Sequence, residues 1–246
     1  MSKSVLVIGA RSDIGRATAH AFASQGYMVQ LAARKAETLA DDARDLEIRH
    51  RVDVTLHELD ALDLSSHEAF VEGLPVLPDV AICAVGAMGD QKLSETSWQD
   101  MASVLRSNFE GPASLFAVLA NRMVARGSGT LIGISSVAGV RGRATNYVYG
   151  SAKAGFSAYL SGLRNRLARD KTGVHVVTVL PGFVDTQMTR GMDLPARLTA
   201  QPVEVGKAIV EAVRKGRNVV YVRPIWQGIM LVIRHIPEFL FKKLSL

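Results

Sequence analysis

The chain contains a single cysteine, Cys83. It can form no intrachain disulfide, which fits a reducing compartment, and a cytoplasmic protein is expected. Aromatic residues make up only 6% of the chain and prolines number eight, so neither a collagen-like nor a proline-rich segment is present. No stretch approaches the roughly 20 consecutive apolar residues that span a bilayer. Met1-Ser2-Lys3 runs directly into an apolar segment, without the pattern of a secretory leader. The six histidines are scattered. His57-Glu58 and His67-Glu68 both lack a second histidine four positions after the first, so no zinc-protease pair and no metal site is expected. Lysine and arginine never stand more than two in a row, which argues against a nucleic-acid-binding arm.

What remains is a globular composition. The 246 residues are 48% hydrophobic and 21% charged, which excludes disorder and coiled coil and allows a full core. The length suits one domain, 1–246, with 224–246 as an apolar and basic C-terminal extension. Lysine and arginine exceed aspartate and glutamate by 29 − 23 = +6, an excess that favours anionic partners such as nucleotides, phosphorylated substrates or acidic lipid. There are 21 glycines, and their positions matter because glycine serves where backbone must approach something closely.

Short apolar runs alternate with longer amphipathic ones. Strands are expected at 4–9, 28–33, 54–59, 80–85, 129–135, 174–180 and 218–222. Helices are expected at 13–25, 36–48, 65–73, 95–126, 147–170 and 203–215. Runs of Val, Ile and Leu without polar alternation belong to parallel strands covered on both faces. Repeated strand–helix–strand units give an α/β fold, a doubly wound parallel seven-stranded sheet with helices on both faces.

The first strand ends at Gly9, and Ala10-Arg-Ser-Asp-Ile-Gly15 leads into a helix. That is where a Rossmann-type sheet holds a dinucleotide pyrophosphate, against free N–H groups at the positive end of a helix. Gly9, Arg11, Ser12, Asp13, Ile14 and Gly15 are therefore candidate cofactor contacts. Asp13 stands where a third glycine is usual. It suits a helix N-cap, and its carboxylate must point away from phosphate unless Arg11 offsets the repulsion. The second strand ends Leu31-Ala-Ala-Arg34-Lys35, with no Asp or Glu from Met28 to Lys35. An acidic residue there would receive the ribose hydroxyls of NAD, whereas Arg34 suits a 2′-phosphate. This favours NADP (NADPH) over NAD (NADH).

In Tyr149-Gly-Ser-Ala-Lys153 the spacing of four places tyrosine and lysine on one helix face. A nearby ammonium is expected to lower the phenol's pKa from about 10, making it a proton donor near neutrality. Ser136 precedes Tyr149 by 13 residues, at the end of the expected strand Leu131-Ile-Gly-Ile-Ser-Ser136. Reacting groups belong at such carboxyl ends.

Together these residues resemble the short-chain dehydrogenase/reductase family, along the whole chain. The resemblance implies a catalytic set of Asn108, Ser136, Tyr149 and Lys153. It implies a nicotinamide-side motif at Pro181-Gly-Phe-Val-Asp-Thr186, with Pro181, Gly182, Val184 and Thr186 as contacts. It places Asp63, followed by Leu64, against the adenine. The family's usual Asn-Asn-Ala-Gly after the fourth strand reads Cys83-Ala-Val-Gly86 here, with Ala84 and Gly86 near the cofactor ribose. The implied reaction is hydride transfer between NAD(P)H and a ketone. Ser136 would hold the carbonyl and Tyr149 would protonate it. Lys153 would tune Tyr149 and hold the ribose, and Asn108 would anchor a water relaying protons to Lys153. The implied partner is a carbonyl or alcohol substrate.

Residues 187–202, with Met188, Met192 and Leu194, read as a lid over an apolar substrate. In the tail, Trp226, Ile229, Met230, Ile233, Phe239, Leu240 and Phe241 are apolar, while Arg234, His235, Lys242 and Lys243 are basic. That pattern suits membrane lipid at the inner face of the cytoplasmic membrane, and equally a subunit interface of a homo-dimer or homo-tetramer. The tail, Val85-Gly-Ala-Met-Gly-Asp90 and Asn146-Tyr-Val-Tyr-Gly-Ser-Ala-Lys153 resemble one branch of the family, the reductases acting second in decaprenylphosphoryl-ribose 2′-epimerisation. That branch implies a keto-pentose on a polyprenyl phosphate, and it is associated with NADH. A general ketone reductase and a non-enzymatic nucleotide-sensing scaffold are the alternatives.

Overall fold

The computed structural model describes residues 3–244. Met1, Ser2, Ser245 and Leu246, the last two belonging to the expected extension, lie outside the described residues. The first half of the chain holds β1 (Ser4–Ile8), α1 (Asp13–Ala23), β2 (Met28–Ala33), α2 (Ala40–His50), β3 (Val54–Glu58) and α3 (His67–Glu72). Then come β4 (Val80–Cys83), α4 (Gln91–Ser94), α5 (Trp98–Leu105), α6 (Gly111–Arg126), β5 (Gly129–Ile134) and α7 (Tyr147–Arg169). The remainder is β6 (Val174–Leu180), β7 (Phe183–Val184), β8 (Thr199–Ala200), α8 (Pro202–Arg214), β9 (Val219–Tyr221), α9 (Ile225–His235) and α10 (Glu238–Phe241).

Seven strands form one sheet in the order β3-β2-β1-β4-β5-β6-β9, and every pair is parallel. All seven are expected strands. Alternate side chains of β1 separate the core into two layers. Val5 and Val7 pack with Phe22, Leu39, Leu46, Val205 and Ile209, under α1, α2 and α8. Leu6 and Ile8 pack with Val71, Phe116, Leu119, Phe156 and Leu160, under α3, α6 and α7. The strands are apolar on both faces because both faces are covered. Strand order reverses between β1 and β4, and that switch point opens a crevice at the carboxyl ends of the strands.

The helix expected at 95–126 is three segments. Ser97 caps α5 by accepting the Asp100 N–H, and residues Arg106–Glu110 form a π-helical turn before α6. Pro112 opens α6 and has no N–H to give back to the Asn108 carbonyl, so the ladder slips and the Gly111 N–H reaches Arg106 instead. Asn108 lies in this turn, buried behind Gly86 at the crevice wall.

The tail is helical, and part of it is core. Trp226 and Met230 of α9 pack with Val137 and Leu180, and Phe241 of α10 is buried. This corrects the expectation that all the apolar tail residues present an interface. Arg141 fixes the tail to the loop before α7. Its guanidinium donates to the Ile233 carbonyl at 2.9 Å and to that of Ile236, pairs with Glu238 at 2.8 Å, and lies 3.8 Å above the Phe241 ring. Those carbonyls stand at the C-terminal end of α9, where a cation is favoured.

Candidate active site

The crevice has two chambers. One, of about 580 Å³, lies over the ends of β1, β2 and β4 and is lined by Gly9, Arg11, Ser12, Arg34, Ala84 and Gly86 among others. The second, of about 390 Å³, lies over β5 and β6 and is lined by Ile14, Ser136, Tyr149, Lys153, Pro181, Gly182, Val184 and Thr186. Ala84 and Gly86 belong to both walls, so the chambers adjoin.

Gly9 has φ +82°, and a Cβ there would stand 2.9 Å from the backbone of Ala84 and Val85. Only glycine lets the turn cross the end of β4. Ser12, not Asp13, is the N-cap of α1: its hydroxyl accepts the Gly15 N–H at 3.0 Å and donates to the Gly9 carbonyl at 2.8 Å. Asp13 is the first helical residue, and its carboxylate accepts the Gln187 N–H at 2.8 Å. The acid in the glycine's place is thus committed to the segment after β7, which meets the requirement that it turn away from the anion-binding backbone.

Arg11 reaches back to the Arg34 carbonyl at 3.4 Å, so two cations share the outer end of the first chamber. Glu58 is the nearby acid, and its oxygens accept the Lys35 and Ala36 N–H groups at 3.0 and 2.8 Å. It caps that turn rather than facing a ribose. Past β3 the wall is formed by Leu59, Asp60, Ala61 and Leu62. Asp63 and Leu64 come just after this stretch, and the Asp63 carboxylate accepts the Ser65 hydroxyl at 2.6 Å. Sequence reasoning passed over Asp60.

In the second chamber Ser135 pins α7 to the end of β5, bonding the Lys153 carbonyl at 2.9 Å and the Ser157 hydroxyl at 2.7 Å. Ser136 follows with its side chain in the pocket. Its hydroxyl accepts the Ala138 N–H at 3.1 Å and is a hydrogen-bond partner of the Tyr149 phenol. Lys153 is buried and donates from Nζ to the Ile134 carbonyl at 3.0 Å. Burial lowers its pKa to about 8.

The expected lowering of the Tyr149 pKa is not found. Burial pushes the phenol up to about 12, and the Ser136 bond opposes this only in part. Lys153 Nζ lies 5.7 Å from the ring centroid with one of its three donors on the Ile134 carbonyl, and burial governs the phenol. Both groups are pressed toward neutrality by the same low dielectric.

Asn108 is fully buried. Its amide donates to Ala87 O at 2.6 Å and to Val104 O at 2.8 Å, while Oδ1 has no partner. A Cβ at Gly86 would stand 2.5 Å from that oxygen and 3.2 Å from Lys153 Nζ. The orphaned acceptor and the lysine therefore converge on a point where only glycine leaves room. Gly182 is constrained likewise, because the Trp226 indole occupies the space of a Cβ. These glycine cradles, the first-turn N–H groups of α1 and the paired arginines fit an extended dinucleotide laid across both chambers.

Met88, Arg143, Asn146 and Trp226 also line the second chamber; Met88 and Asn146 belong to the branch motifs and Trp226 to the apolar tail, and only Arg143 was not singled out in the sequence. Arg143 stands between Ser136 and Tyr149, and that position was the available signal. Met188 and Met192, expected in a lid, do line the pocket.

Among known proteins, the chain is 37% identical to an uncharacterized oxidoreductase of Mycobacterium tuberculosis over 245 residues, 98% of this chain and 96% of the relative. Its fold matches a short-chain dehydrogenase from Sphingobium yanoikuyae solved with NADPH, at TM-score 0.81, 22% identity and coverage of 96% and 97%. It also matches a bulky-bulky ketone specific alcohol dehydrogenase from Comamonas testosteroni, at TM-score 0.78, 22% identity and coverage of 96% and 95%. The family model for short chain dehydrogenase matches residues 3–195. With the parallel sheet, the glycine turn at its switch point and Ser136, Tyr149 and Lys153 gathered over β5, the chain belongs to the short-chain dehydrogenase family and is an oxidoreductase.

Proposed function

We propose that this oxidoreductase reduces a ketone to an alcohol with NADPH, NADH being the alternative donor. The observation that carries the reading is the convergence of Ser136, Tyr149 and Lys153 on one pocket that adjoins a cleft with cationic residues at its outer end. Gly9, Ser12, Ile14 and Gly15 would hold the pyrophosphate and Arg11 with Arg34 the 2′-phosphate. Asp63 or Asp60 and Leu64 would face the adenine. Ala84, Gly86, Pro181, Gly182, Val184 and Thr186 would hold the nicotinamide half. The bound dinucleotide supplies the hydride. Ser136 donates a hydrogen bond to the substrate oxygen and steadies the charge that develops on it. Tyr149, fully protonated at neutral pH, gives that oxygen its proton. Lys153 replaces the proton through a water held by the free Asn108 Oδ1.

The finer reading, a keto sugar on a polyprenyl phosphate, draws support from the largely apolar pocket and the amphipathic tail beside it. In that reading residues 1–246 are one domain, peripheral at the cytoplasmic membrane face, and homo-oligomeric. The test is to titrate NADPH and NADH separately against a panel of small ketones, with and without lipid-linked keto sugar in detergent. The expected outcome is NADPH oxidation with several ketones and a lower KM for NADPH than for NADH. Cofactor binding without oxidation by any carbonyl would refute the reductase reading. Turnover of small ketones alone would remove the polyprenyl substrate.

A further inference from the structure

The arginines around the second chamber differ in one respect. Arg141 holds the tail with both Nη1 and Nη2 and with its face over Phe241. Arg164 donates to the Val176 carbonyl at 2.7 Å and the Thr178 hydroxyl at 2.6 Å, and Arg223 pairs with Glu204 at 3.0 Å. Arg143 lines the pocket, yet its Nε is buried without a hydrogen-bond partner and no carboxylate pairs with it among the described residues. Burial moves its pKa down from the usual arginine value, as expected for a cation drawn partly out of water with nothing opposite it. A half-buried guanidinium whose Nε lacks an acceptor gains a charge-assisted hydrogen bond from a ligand that brings an oxyanion. The pocket itself brings none, because no Asp or Glu lines it. Its other cation, Lys153, is bonded to Ile134. The facing walls are apolar, with Met88, Met188, Met192, Phe183 and Trp226.

Resting on the reductase reading of this pocket, we propose that Arg143 is a specificity-determining residue that selects carbonyl substrates carrying an oxyanion, a carboxylate or a phosphate ester, joined to an apolar portion. The planar fork accepts either anion in a bidentate pair. The methionines and Trp226 take the apolar portion.

Calorimetric titration of the protein, saturated with NADPH to cover the phosphate turn, tests this without requiring turnover. The probes are octanoate, octyl phosphate and neutral octanamide. The charged probes are expected to bind roughly ten- to a hundred-fold tighter than octanamide, the range of a charge-assisted pair. In Arg143→Met that ratio falls to near one, and in Arg143→Lys, which keeps the charge and loses the fork, it falls part of the way. A thermal melt of each variant checks its fold. Tight octyl phosphate alone assigns a phosphate ester, and tight octanoate alone assigns a carboxylic acid. Equal affinity of the wild type for all three probes, or a preference that survives Arg143→Met, overturns the proposal. A protein that prefers the anions through Arg143 but reduces no carbonyl refutes only the reductase reading. A protein that reduces neutral and anionic ketones alike refutes only the role of Arg143.

Discussion

Tyr149 and Lys153 lie one helical turn apart and are both held near neutrality by burial, the phenol pushed up to about 12 and the amine down to about 8. The consequence for pH dependence follows from their signs. A lysine whose pKa is lowered loses its charge as pH rises through about 8, while Tyr149 keeps its proton well beyond that point. Because kcat/KM reports the free enzyme, it should decline for ketone reduction as pH rises through about 8, with no second loss until far more alkaline pH. A profile flat to pH 10 would separate Lys153 from proton delivery. The residues of this site were legible because periodicity and strand ends placed them: the spacing of four, Ser136 closing an apolar run, and Gly9 before a helix. The job of Asp13 was not legible, because its partner Gln187 lies 174 positions away. Arg143 was missed for a related reason, since only the packed pocket shows that its Nε is left without a partner.

Among the elements, the segment after β7 and the phosphate turn are tied by a hydrogen bond from the Gln187 N–H to Asp13. Thr186 and Thr189 close a capping box beside it, and the short β7–β8 pair anchors the far end of the segment. Asp13→Ala should leave the sheet intact and loosen the segment after β7. Hydrogen exchange at the Gln187 amide should speed up by roughly tenfold, the worth of a bond to a charged acceptor, while core amides stay protected. Unchanged exchange there would mean that the bond does not hold the segment. The break of the expected 95–126 helix is the other lesson at this scale. Residues 106–110 carry only Phe109 as an apolar side chain, and Gly111-Pro112 lies in the interior of the expected helix, where proline breaks or kinks it. Pro112 was the available signal for a break, while its form, a π-turn with the displaced bond from Gly111 to Arg106, shows only in the backbone.

At the scale of the molecule, part of the excess of +6 charges lines the crevice, with Arg11 and Arg34 at one chamber and Arg143 at the other. The tail carries its own set. Leu231, Val232, Phe239 and Leu240 are exposed, with Arg234, His235, Lys242 and Lys243 beside them. No helix among the described residues is long and apolar enough to cross a membrane. Such a face suits the surface of an anionic bilayer. In flotation assays the protein should rise with vesicles containing phosphatidylglycerol and remain behind with neutral ones. The pair Leu231→Asp and Phe239→Asp should weaken that binding at least roughly tenfold, since each side chain forgoes on the order of 1.5–3 kcal/mol of burial. Binding that ignores both lipid charge and these substitutions would leave the face to a subunit contact. The doubly wound sheet itself was readable from the chain, because the central strands are largely apolar runs and each crossover is long enough for a helix. The central claim, that Tyr149 delivers the proton in NADPH-dependent ketone reduction, is tested most directly by comparing wild type with Tyr149→Phe in a single turnover of bound NADPH. NADPH oxidation should fall by roughly a hundred- to ten-thousand-fold while the NADPH dissociation constant stays within about twofold. Oxidation at the wild-type rate in Tyr149→Phe would contradict the account.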